Sequence, residues 1–143
     1  MNNRKIKVAM VPNHFGITGI GTVIMNYCKA LDKEKYDLTI FAGQPISEKY
    51  EKECLENDIH LVELPSRHGN PKGHYIALWK ALRAGHYDIV HDHGSSSMMA
   101  IELTIAKLAG VKNRIAHSHN SNCPNMKVHK LLNPYFRTVY TKA

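Results

Sequence analysis

The chain has 143 residues, of which 43% are hydrophobic and 22% charged, a balance that suits one globular domain and excludes disordered and fibrous classes. Lys and Arg number 19 against 12 Asp and Glu, a formal charge of +7, and there are 10 histidines. No apolar run approaches the roughly 18 residues of a membrane span.

In chain order, residues 6–11 read as a buried strand rather than a signal peptide. Ile20, Val23, Ile24, Tyr27, Cys28 and Leu31 recur at helical spacing. Residues 38–42 form a second short strand, closed by Gly43 and Pro45. Residues 46–57 are a solvated helix with a thin apolar edge at Tyr50, Cys54 and Leu55, and residues 59–64 a third strand ended by Pro65. Tyr75, Leu78, Trp79 and Leu82 mark a third helix that stops near Gly85. Residues 88–92 are a fourth strand, and residues 95–109 a helix apolar on most sides and stopped by Gly110. Residues 114–118 are a fifth strand, and a helical stripe follows from Val128 to Val139.

This alternation predicts a single α/β domain over residues 1–143, a Rossmann-like doubly wound parallel sheet with helices on both faces. No repeat or linker divides it. Cys28, Cys54 and Cys123 are too few and too scattered for a disulfide framework or a Cys-rich zinc site, so a reducing cytoplasm is the expected compartment.

Ligands of such sheets bind beyond the carboxyl ends of the strands, near the reversal of strand order. After strand one comes the run from Pro12 through His14, Gly16 and Gly19 to Gly21; after strand four, His91, Asp92, His93, Gly94 and Ser95 to Ser97; after strand five, His117, Ser118, His119 and Asn120. The order 3-2-1-4-5 brings all three loops to one cleft, whereas 2-1-3-4-5 would join only the last two. The gathering of histidines at these ends favours the first.

The glycine-rich loop leads into a helix, whose backbone N–H groups and dipole form a seat for phosphate. Its spacing is neither the dinucleotide fingerprint nor a P-loop, and a tight strand–helix turn explains the glycines equally well. Ser95 to Ser97 offer hydroxyl caps at a second helix start. His91 and His93, and likewise His117 and His119, alternate with polar residues, so each pair shares one face of its strand while Asp92 faces the other. Three uses of these imidazoles stay open: zinc binding, hydrogen bonding within the sheet, and polar contact with a sugar or phosphate. The scattered lysines serve solubility or attract an anionic partner such as a membrane surface. Aromatics are not interleaved with them, so nucleic acid is not an expected partner.

The run Thr18-Gly19-Ile20-Gly21 with Val23 to Leu31, the strand Tyr87-Asp88-Ile89-Val90-His91-Asp92-His93, Leu108-Ala109-Gly110-Val111 and Arg114-Ile115-Ala116-His117-Ser118-His119-Asn120 together resemble the N-terminal half of bacterial glycosyltransferases of family 4. The likeness covers essentially the whole chain and is closest to enzymes of capsular and exopolysaccharide synthesis. Thr18 and Gly21 depart from it, standing where the family usually has a glycine and a glutamate.

The resemblance implies half of a GT-B fold, the acceptor-side domain, with the nucleotide-sugar domain absent. It implies a retaining, metal-independent transfer from a nucleotide-sugar to a lipid-linked or other saccharide acceptor, with no cofactor and no metal ligand, and a chain inactive alone. His119 would approach the donor sugar as the catalytic position. His14, Gly16, Gly19, His93, Ser95, Ser96 and Asn120 would bind substrate. Peripheral association with the inner membrane face and self-association through an unpaired strand edge are further expectations. A phosphometabolite-binding domain without catalysis and a His-rich metal-binding module are the alternatives.

Overall fold

In the computed structural model the described residues are 4–94 and 96–119, together with Lys127, Lys130, Leu131, Pro134, Tyr135 and Val139. Ser95, Asn120 and Cys123 lie outside them, as do the side chains of Ser96 and Ser97 and most of the stripe expected from Val128 to Val139.

Strand and helix alternate as expected: β1 (Ile6–Pro12), α1 (Gly19–Ala30), β2 (Tyr36–Gly43), α2 (Glu48–Glu56), β3 (His60–Leu64), α3 (Pro71–Gly85), β4 (Ile89–Gly94), α4 (Ser96–Leu108) and β5 (Asn113–Ser118). All pairings are parallel and the strand order is β3-β2-β1-β4-β5. The reversal lies between β1 and β4, where Pro12 stands opposite His93.

The period of two in β1 separates the two cores. Val8 and Met10 pack with Ile24 and Cys28 of α1 and with Tyr50 of α2. Ala9 and Val11 pack on the other face with Leu78 and Leu82 of α3 and Leu103 of α4. Helices thus cover both faces, as a parallel sheet requires.

Several boundaries differ from the sequence reading, most by one or two residues, and two of the differences have a clear cause. Helix α3 begins at Pro71 rather than near Tyr75, because the Asn70 side chain accepts from the Gly73 N–H at 2.9 Å and Pro71 suits the first helical position. Strand β4 runs on to Gly94, since His93 and Gly94 pair with His117 and Ser118 of β5. His93 therefore belongs to the ladder and not to the loop beyond it.

Candidate functional site

The loop between β1 and α1 is held from below. Phe15 is buried in the first core and stacks on Tyr50 at 4.8 Å between ring centroids. That anchor leaves His14 exposed. Thr18 caps α1, its side chain accepting from the Gly21 N–H at 3.4 Å. Gly21 must be glycine: a Cβ there would lie 2.3 Å from the Gly16 carbonyl oxygen and 2.7 Å from the Tyr50 ring. A Cβ on Gly19 would meet nothing within 4 Å, so packing does not demand glycine at that position.

Backbone hydrogen bonds draw the strand ends together. The Asn13 N–H donates to the His93 carbonyl at 2.7 Å, and the His119 N–H to the Gly94 carbonyl at 3.3 Å. Between these ends lies a cavity of about 450 Å³ lined by His14, Thr18, Gly19, Ile20, Val23 and His119. It opens at the N-terminus of α1, where the helix dipole favours an anion. A second cavity of about 490 Å³ sits at the opposite end of the sheet, beside Arg4, His86 and Asp88. The first occupies the position where open α/β sheets bind ligands.

Of the expected site residues, His14, Gly19 and His119 line the cavity together. Gly16 lies under the His14 ring, whose Nε2 is 2.6 Å from the place of a Cβ. His93 does not line the cavity but stands behind it, fully buried, its Nδ1 hydrogen-bonded to His119 Nε2 at 3.0 Å.

The four strand-end histidines form one stacked cluster on the α1 face. His91 and His93 rings are 4.0 Å apart, and His117 and His119 are 4.5 Å apart and nearly coplanar in orientation, at 4°. His91 Nε2 and His117 Nδ1 share a second hydrogen bond at 3.3 Å. Burial, reinforced by mutual repulsion, pushes His93 down to about 2 and His91 down to about 4. His119 is lowered for the same reasons. His91, His93 and His119 are therefore held towards the neutral form, in which an imidazole exchanges hydrogen bonds rather than acting as a fixed cation.

On the opposite face, Asp92 and Glu102 are both fully buried. The Arg67 guanidinium, from the loop after β3, donates to the Glu102 carboxylate and to the Asn13 side-chain oxygen. Burial and the neighbouring Glu102 hold the Asp92 carboxyl well above the usual carboxylate range, so it keeps its proton. Glu102 is also raised by burial, against the pull of Arg67. Arg67 thereby ties the β1 loop to α4 and fixes the cavity wall that carries His14. The sequence reading passed over this trio. The available signal was an acid within an apolar strand and another within an apolar helix, since buried charges require partners.

Fold and cavity define a doubly wound α/β domain with an open cavity at the carboxyl ends of its strands. The chain belongs to Glycosyltransferase Family 4, whose family model matches residues 17–143. It is 30% identical over 126 residues to a Bacillus subtilis (strain 168) protein named "Putative glycosyltransferase EpsF", covering 85% of this chain and 32% of that relative. The chain thus spans about a third of the length of the curated relative it matches. Among solved structures, the C-terminal domain of PF1911 hydrogenase from Pyrococcus furiosus matches 82% of this chain and 95% of its own length, with a TM-score of 0.57 and 17% identity. Apo scyllo-inositol dehydrogenase from Lactobacillus casei matches 99% of this chain and 34% of its own, with a TM-score of 0.57 and 11% identity. Those two likenesses speak for the fold alone. Among the described residues no helix is long and apolar enough to cross a membrane.

Proposed function

We propose that this domain is the acceptor side of a retaining glycosyltransferase. It transfers a sugar from a nucleotide-sugar to a lipid-linked saccharide in cell-surface polysaccharide synthesis, at the cytoplasmic face of the membrane. The observation that carries the reading is the cavity at the start of α1, where a helix N-terminus and two imidazoles, His14 and His119, meet around an open glycine. Hydroxyl-rich and diphosphate ligands are recognised by such N–H donors and neutral imidazoles.

No Lys or Arg is among the described residues lining that cavity. A departing nucleoside diphosphate develops charge that fixed cations or further dipoles must stabilise. The reading therefore assigns the nucleotide to a second domain and the acceptor, together with the sugar-facing His119, to this one. By itself the domain binds acceptor and does not turn over.

The test is reconstitution: this domain is mixed with, or fused to, the remaining two-thirds of the EpsF-like relative, and supplied with a nucleotide-sugar and a polyprenyl-diphosphate saccharide. Transfer with retained anomeric configuration is expected, falling roughly 10²-fold or more in His119→Ala. Absence of transfer across a panel of donors and acceptors, with both parts folded, contradicts the reading.

A further inference from the structure

The histidine cluster holds more nitrogen than its hydrogen bonds consume. His93 gives Nδ1 to His119, which leaves His93 Nε2 buried and without a partner among the described residues. One ring nitrogen from each of His91, His93 and His117 lies within 4.8 Å of the other two. His91 Nε2 and His117 Nδ1 are already 3.3 Å apart. Two imidazoles on one tetrahedral ion, each bonded at about 2.0–2.1 Å, stand about 3.3–3.4 Å apart.

We propose that His91, His93 and His117 bind one Zn²⁺-like divalent ion. The donor set is imidazole only, which suits borderline transition metals and not Mg²⁺ or Ca²⁺, and the nearest buried acid on β4, Asp92, faces the opposite side of the sheet. Bringing the third nitrogen into place requires a closure of about 1.4 Å, within reach of side-chain rotation.

An approach exists from the α1 side, through an apolar cavity of about 220 Å³ lined in part by Tyr27, Leu31, His91 and Ile115. Tyr27 is half exposed and its ring lies 6.0 Å from both His91 and His117. The fourth position is left to water. With Nε2 on the ion, His93 must carry its proton on Nδ1 and donate it to His119 Nε2. The ion thus fixes the tautomer of the imidazole at the sugar-facing cavity, as partners of metal-bound histidines commonly do. The ion acts on that imidazole only through His93 and supplies no Lewis-acid step to the transfer.

The test uses the chain without an affinity tag. Calorimetric titration with ZnCl₂ at pH 7.5 is expected to give one site per chain. His91→Gln and His117→Gln should each weaken it at least tenfold, while His68→Gln, at an exposed loop histidine, leaves it unchanged. Substituting CoCl₂ in the parent protein should give the intense visible bands of four-coordinate Co²⁺, a readout that stands even if a variant fails to fold. Absence of a stoichiometric site, binding indifferent to both substitutions, or the weak spectrum of six-coordinate Co²⁺ would each overturn the proposal. None of these measurements involves a sugar, so their outcome is independent of the reconstitution result.

Discussion

Replacing Arg67 by Met should destabilise the domain severely although the site lies in a loop. Arg67 is the cation that faces two buried acids, Glu102 through a direct pair and Asp92 through Glu102. Breaking a buried pair by removing one partner costs about 3–5 kcal/mol, because the other charge is left uncompensated. For a domain of this size that corresponds to a melting temperature lower by roughly 10–20 °C.

The pH dependence identifies the cause. Both carboxyls have folded-state pKa values raised above their ordinary 3.8 and 4.5. A raised carboxyl binds more protons folded than unfolded, so stability is lost as pH rises from the unfolded value towards the folded one, by about 1.4 kcal/mol per pH unit for each group. Without Arg67 the Glu102 value rises further. The variant's deficit should therefore be largest near pH 8 and shrink towards pH 5. Subtracting the parent's curve cancels the opposite trend of the histidines, whose lowered values cost stability as pH falls below 6.5. Urea unfolding of parent and variant at both pH values measures the effect. A deficit under 1 kcal/mol at pH 8, or one that does not shrink on acidification, would refute the reasoning.

Gly21→Ala should cost about 1–3 kcal/mol in urea unfolding, since its Cβ meets a carbonyl oxygen and the Tyr50 ring, whereas Gly19→Ala should leave stability within about 0.5 kcal/mol and instead weaken acceptor binding. Equal costs at the two positions would contradict the packing described for this loop. Cys28 and Cys54 are buried thiols that burial pushes up to about 12 and about 11, so mass mapping after iodoacetamide at pH 8 should find both unmodified until urea unfolds the chain. Among the described residues β5 pairs only with β4 and Ile115 is 46% exposed, so sedimentation should show concentration-dependent self-association that Ile115→Lys reduces. A parent chain monomeric throughout the concentration range would contradict this.

The fold was legible because each strand carries its own signal. Val8 to Val11 is apolar without alternation, as a strand covered on both faces must be, and Gly110, with φ of 93°, marks the stop of α4. The period of two was enough to place His91 with His93, and His117 with His119, on single faces, and their crowding at strand ends pointed to the observed order. Contacts between distant residues were not legible. Arg67 is 54 residues from Asn13 and 35 from Glu102, and nothing local in a polar loop marks a side chain as the partner of a buried acid. The start of α3 was missed for a different reason. Its first turn, Pro71 to His74, carries no apolar stripe, and only the Asn70 cap announces it. The mutual hydrogen bonds of the histidines depend on strand register, which pairs His93 with His117 and which the sequence does not print.

The central claim is that the opening between β1 and β5 receives the saccharide acceptor. Amide and imidazole NMR shifts of the domain, followed while a short-chain polyprenyl-diphosphate saccharide is added, test it most directly. The account predicts saturable changes confined to the loop from His14 to Val23 and to His117 and His119, absent when the polyprenyl-diphosphate saccharide is replaced by the bare polyprenol. Changes at Arg4, His86 and Asp88 instead, around the cavity at the other end of the sheet, or no saturable change at all, would contradict it.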